Sequence, residues 1–451
     1  LQALTTSGSN QIGALTTGQL QALTTGSVAS LLSAQIANLG TGQVAALTTT
    51  QVQNLTTDQV AALTTTGANQ LASLTTNQVQ ALTTGQLGAV TSTKFASLTT
   101  GELQALTTAQ VASLSTDQIN ALSSTKLNAL ETVDVAALTT TQVAGIATGM
   151  VSNLSTTVMV ALTGTQIGSL GTAQIGQLST TQLQAIEVAD VSSLTSTQVN
   201  VLDSTHLQAL STSQLQALSG AVITGLTTGS SGTLNAMSTT QLAALTNSQI
   251  GALSTSAIST ITTTGNLQAF SAAQLGAMTT SQLQSLTTTQ VATLSTGSSG
   301  QISQLAGSAV NNLSSSQVGA LTSVQVGYLS DTAISGISTG LLTSLAVNGL
   351  STAQVALMNT TQIGALSTTQ VTSLNTTQVS SLSSTLLRGL STTQLQALTT
   401  SGSNQIGALT TGQLQALTTG SVASLLDAQI AKLGTSQLAS LTTAQVQNLT
   451  T

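Results

Sequence analysis

The chain has 451 residues, a formal net charge of −6, 3% charged residues and no Cys, Pro or Trp. Apolar residues make up 40%, which suffices for a core, and charge this sparse, against about 25% in ordinary soluble proteins, excludes the high-charge composition of disorder. Four basic residues (Lys94, Lys126, Arg388, Lys432) cannot form a phosphate-binding stripe, so no nucleic-acid partner is expected. The lack of Cys removes disulfides and thiolate metal ligands, and no run reaches the roughly 18 apolar residues of a membrane span.

An octapeptide carries most of the remaining information. Gln51-Val52-Gln53-Asn54-Leu55-Thr56-Thr57-Asp58 leads directly into Gln59-Val60-Ala61-Ala62-Leu63-Thr64-Thr65-Thr66, and the unit returns at Gln110, Gln142, Gln198, Gln317 and Gln378, among others. Lettered a to h, the unit has Gln at a, Val or Ile at b, a small residue at d, Leu at e, and Thr or Ser at f and g. Positions b and e lie three apart, which puts both on one face of a helical turn; a strand would turn them to opposite faces. Position f stands three residues before the next Gln, the spacing of a capping box. Examples are Thr48/Gln51, Ser115/Gln118, Ser179/Gln182 and Asn359/Gln362, with Thr99/Glu102 as the acidic version.

Each octad therefore predicts a helix of about five to seven residues, opened by a Thr or Ser cap and too short to stand without neighbours. One continuous helix is excluded, because eight residues overshoot two turns by about 80° and the Leu stripe would spiral. The expected fold is an all-α solenoid of very short helices, with b and e packed on a common axis and Thr, Ser and Gln outside. The alternative is a β-solenoid, which suits Thr, Val and Ile but turns the Leu at e outward in every copy. Gly at c, as in Ile12-Gly13, Ile167-Gly168, Ile250-Gly251 and Ile363-Gly364, costs a helix roughly 1 kcal/mol against Ala and suggests close backbone approach between coils.

Taken from the N-terminus, the period slips at Gly8-Ser9-Asn10 before Gln11, at Gly67-Ala68-Asn69 before Gln70, and at Gly402-Ser403-Asn404 before Gln405. Gly229-Ser230-Ser231-Gly232, Gly265-Asn266, Gly297-Ser298-Ser299-Gly300 and Asn348-Gly349 mark further irregularities. These small, polar stretches read as surface insertions rather than binding loops.

Most charges fall between Lys94 and His206. Lys94, Glu102, Lys126, Asp134, Asp190 and His206 all stand at a, which reads as a solvent-exposed column. Glu102 and Lys126, three octads apart, would pair across coils if three octads made one turn. Asp203-Ser204-Thr205-His206 has the residue types of a hydrolytic triad, yet Asp203 sits at cap position f and His206 at a, so both read as variants of the repeat. No catalytic, cofactor-binding or metal-ligating set emerges, and the chain reads as no enzyme. Asn54, Asn153, Asn312, Asn359 and Asn375 begin Asn-x-Ser/Thr triplets, which the octad generates whenever Asn falls at d or f.

Residues 1–57 return at 395–451, offset by 394, with six differences: Ser33/Asp427, Asn38/Lys432, Gly42/Ser436, Val44/Leu438, Ala46/Ser440 and Thr50/Ala444. The octads between have diverged further. Residues 1–451 thus read as one continuous repeat array, and as a window on a longer array of 394-residue blocks.

The phrase Leu-Thr-Thr-x-Gln-Val-x-Ala-Leu resembles the helix-opening phrase of TAL-effector repeats, which supports a helix starting at the Thr pair. The Pro, the second helix and the base-reading residues of that family are absent, so DNA binding does not carry over. In composition the whole chain resembles the giant Thr/Ser-rich repeat proteins that bacteria export as adhesins, surface fibres or matrix. That resemblance implies an extracellular or cell-surface structural protein, self-associating into a homopolymeric filament, fibre or matrix, with a cell surface or polysaccharide as further partner. The alternative is the stalk of a large adhesin, presenting a binding domain that lies outside this segment.

Overall fold

The structure, a computed structural model, describes residues 1–229, 232–262 and 265–449. Among these the chain is an all-α solenoid: 49 α-helices of four to six residues and three 3-10 turns, with no strand. The helical reading of the octad holds, and the β-solenoid is excluded. The chain divides into two compact units, Leu1–Val222 and Ile223–Thr451.

In the first unit, Thr48 shows how most helices begin. Its backbone is extended (φ −68°, ψ 155°), its Oγ1 accepts the Gln51 N–H at 3.1 Å, and its own N–H donates to Gln51 Oε1 at 2.9 Å. Both halves of the capping box are therefore made. The helix ends because the Leu at e leaves the helical region, as Leu63 does at φ −52°, ψ 130°, and delivers the chain to the next cap. Positions b and e form the core: Val52 and Val143 are fully buried, and Leu114 and Leu138 nearly so. Burying each such side chain contributes about 1.5–3 kcal/mol, which is what holds helices too short to survive alone. The second unit is built alike, with Val371 and Leu374 buried, and with Phe270 taking an e position in the core.

Two sets of bonds fix the turn. In the first unit Asn120, at c, donates to Gly145 O and accepts from Ala147 N–H, both at 2.8 Å, three octads on. Gln142, at a, donates to Val111 O and Leu114 O, four octads back. In the second unit Asn311 reaches Gly336 O and Ser338 N–H, while Gln394 reaches Ile363 O and Leu366 O. One turn of each unit thus takes between three and four octads. At two octads with Gly at c the carbonyl three octads on stands close: a Cβ on Gly168 would lie 2.9 Å from Ser193 O, and one on Gly364 3.1 Å from Gly389 O, whereas Gly88 and Gly276 have nothing within 4 Å. This is the close approach that Gly at c suggested.

The slips before Gln70, Gln301 and Gln405 loop outward and leave the core in register, whereas Val347–Gly349 forms a 3-10 turn with Val347 in the core. Before Gln70 the cap bond spans six residues instead of three, from Thr64 N–H to Gln70 Oε1 at 2.8 Å. Gln70 still donates to Ile36 O and Leu39 O, four octads back. Gly67 turns the loop at φ +68°, a left-handed conformation open to Gly at no steric cost. In the second unit Ser295/Gln301 and Thr399/Gln405 repeat the device. Ser230 and Ser231 of the Gly229–Gly232 slip lie outside the described residues, as do residues 263–264 beside Gly265 and the last two residues of the 395–451 copy.

Candidate functional site

The expectation that fails is the exposed column at a. Gln142 is 4% exposed, Gln182 3% and Gln290 1%. A glutamine amide offers an acceptor and two donors. A junction between short helices leaves matching groups unsatisfied: the N–H of the cap and the carbonyls at the end of a helix. Gln142 meets them all. Its Oε1 accepts the Thr139 N–H at 2.6 Å, and its Nε2 donates to Val111 O at 2.9 Å and Leu114 O at 2.7 Å. In the second unit Gln370 does the same for Ser367 N–H, Leu342 O and Leu345 O. Where the cap is glycine and has no side chain, the glutamine still takes its N–H, as Gln43 takes that of Gly40 at 2.7 Å. The b and e carbonyls remain the partners when the sequence separation shifts, from 31 and 28 residues for Gln142 to 34 and 31 for Gln405 and 28 and 25 for Gln354. The result is a ladder of buried amides that ties each coil to the one before it.

The charged residues at a fill this slot by halves. Lys94 supplies only the donor: its Nζ reaches Ala61 O at 2.6 Å and Leu63 O at 3.0 Å. Glu102 supplies only the acceptor. Its Oε2 takes the Thr99 N–H at 2.5 Å and the Thr99 hydroxyl at 2.8 Å, while its Oε1, fully buried, has no hydrogen-bond partner. Burial pushes the Glu102 carboxyl above its usual range, against the opposing pull of Thr99 and then of Lys126. Asp134 is 2% exposed, and burial first and Glu131 second push its carboxyl up. The expected Glu102–Lys126 pair does not form, because the Lys126 ammonium donates to Ala96 O. Between three and four octads per turn, rather than three, separates the two groups.

Asp203 and His206 come together as a helix cap. Asp203 Oδ1 accepts the His206 N–H at 2.9 Å and lies 2.7 Å from His206 Nδ1. The imidazole stands where Gln would reach back to the cap. These bonds, the backbone N–H first, hold the exposed Asp203 carboxyl below its usual range. Asn359 and Asn375 are also caps, accepting the N–H of Gln362 and Gln378, each at 2.9 Å. Asn54 and Asn153 donate to their own helices, at Thr50 O and Gly149 O.

In the first unit an open cleft of about 490 Å³ is lined by Thr132, Thr156, Thr157, Val160 and Ala161, none of them ionisable. Among the described residues no cluster of three or more His, Asp or Glu could hold a metal ion, and no helix is long and apolar enough to cross a membrane.

Sequence reasoning found the cap half of the glutamine's work and missed the bridge. A signal was present: position a keeps Gln through octads whose c and h positions vary freely, which an exposed column has no reason to do. A family model described as the ALTTAQ repeat matches residues 28–65, 95–132 and 263–296. These stretches are similar to that repeat, and the chain is a repeat protein. No curated protein matches the chain.

Proposed function

We propose that this is a structural protein, exported from a bacterial cell, whose repeats stack into an extracellular filament, fibre or matrix and carry no catalytic activity. The observation that supports the reading most is the amide ladder. The buried polar side chain of nearly every octad is committed to the neighbouring coil, and the same rung recurs with little variation along both units. A site for a diffusible substrate would break that uniformity with convergent polar groups in a pocket, and the Thr-lined cleft has no ionisable wall. Sparse charge leaves Thr, Ser and Ala surfaces without the repulsion that keeps proteins apart. Copies of the chain are therefore the first partner, and a cell surface or a polysaccharide the second.

Cell fractionation with an antibody to the repeat, followed by electron microscopy of the purified material, tests this. Repeat protein recovered outside the cell as uniform filaments or sheets is the expected result. A soluble monomer confined to the cell interior would refute it. Filaments that begin at a distinct non-repetitive head would instead favour the stalk of an adhesin.

A further inference from the structure

The ladder is interrupted by acids at two successive rungs of one column. Counting four octads per rung, the column runs Gln70, Glu102, Asp134, Gln166. Gln70 bonds Ile36 O and Leu39 O, and Gln166 bonds Val135 O and Leu138 O. On either side of Glu102, Lys94 reaches the octad of Gln59 and Gln110 reaches that of Gln78. The register therefore sets the free Glu102 Oε1 against Leu71 O and Leu74 O. Elsewhere that place belongs to an amide nitrogen 2.6–2.9 Å from its carbonyls, as at Gln70 and Gln166. An oxygen in that place can bond a carbonyl only if it carries a hydrogen itself, and one O–H serves one carbonyl.

We propose that Glu102 is held as the neutral acid, donating from Oε1 to the coil beneath, and that its ionisation opens the seam between the coil of Gln70 and that of Glu102. The neutral acid takes over the acceptor and one of the two donors of glutamine: Oε2 accepts from Thr99, and the single Oε1–H replaces one amide N–H. The carboxylate would turn two negative groups toward each other in a buried site. The charged groups on the surrounding elements are Lys126 on Ser124–Leu127, Lys94 on Ser92–Phe95 and Asp134 on Thr132–Ala137. The elements beneath, Leu71–Ser73 and Thr76–Ala81, carry none. The Lys126 ammonium opposes protonation but is occupied at Ala96 O, and burial outweighs it. Asp134, shorter by one methylene, occupies the next rung and opens a helix with neither half of the capping box, so the same stretch has no amide at two rungs in a row.

The sign follows from linkage. The folded carboxyl titrates above its unfolded value, so its contribution is complete below the ordinary Glu value of 4.5 and is lost as pH rises through the folded pKa. The test compares the full chain with its Glu102→Gln and Glu102→Lys variants; each variant places a donor already used at position a. Hydrogen exchange of peptides spanning residues 66–78 and 96–106, corrected for intrinsic rates, should show wild-type protection falling by up to about tenfold per pH unit between the ordinary Glu value of 4.5 and the folded pKa, and levelling off above it. Both variants should stay flat. Infrared difference spectra of ¹³C-Glu protein should show an acid C=O band that persists as pH rises past the ordinary Glu value of 4.5 and that Glu102→Gln removes. Loss of that band at or below 4.5, or protection profiles that run parallel in all three proteins, would overturn the proposal.

Discussion

At the residue scale, a glutamine side chain carries what a junction of short helices lacks. One amide satisfies a cap N–H and two carbonyls, so a polar residue lies in the interior at little cost. Lys94 and Glu102 make the division of labour visible, because each retains one half. Glycine divides by position in the same way. Gly168→Ala would drive a Cβ against Ser193 O and should destabilise by about 1–3 kcal/mol, whereas Gly18→Ala, with nothing within 4 Å, should stabilise by up to about 1 kcal/mol. Denaturant unfolding of the two variants checks the opposite signs. Asp203 sets a pH dependence. Its carboxyl is held below the usual range, so its capping contribution is present above the ordinary Asp pKa and lost as pH falls through the folded value. Asp203→Asn keeps the cap and should make exchange of the Ser204–Ala209 amides insensitive to acid through that window. An unchanged acid response would assign the effect elsewhere.

At the element scale, the unit is one capped turn of helix plus an extended step into the next cap. Caps, helix lengths and the b/e core were legible because each depends on spacing within a single octad. The burial of Gln and the number of octads per turn were not, because they depend on partners 25–34 residues away and every octad resembles every other. Tolerance of slips follows from the same geometry. Deleting Gly67, Ala68 and Asn69 leaves Thr64-Thr65-Thr66-Gln70, which restores the three-residue cap spacing. The helical circular dichroism and melting temperature of this deletion variant should equal or exceed those of the parent. Deleting Ala68 and Asn69 alone leaves an odd residue between cap and Gln, and should lower the melting temperature. If both deletions behave alike, phase is not what the loops preserve.

At the scale of the whole molecule, the duplicated block repeats contacts as well as sequence. Gln429 bonds Leu395 O and Leu398 O in the second unit as Gln35 bonds Leu1 O and Leu4 O in the first, at positions offset by 394. A block can therefore be copied without redesigning the rung, which suits the filament proposed above. Within each unit stability is a sum of local terms, coil on coil, and the ladder supplies the polar part of every one. Replacing Gln142 with Leu keeps the size and apolar fit of the side chain but strands the Thr139 N–H and the Leu114 carbonyl, and leaves Val111 O with only its bond from the Leu114 N–H. Guanidinium unfolding of Gln142→Leu is the most direct test of the ladder. A loss of about 2–4 kcal/mol is the predicted result, and a change within about 0.5 kcal/mol, as at an exposed site, would contradict the ladder as the bond between coils.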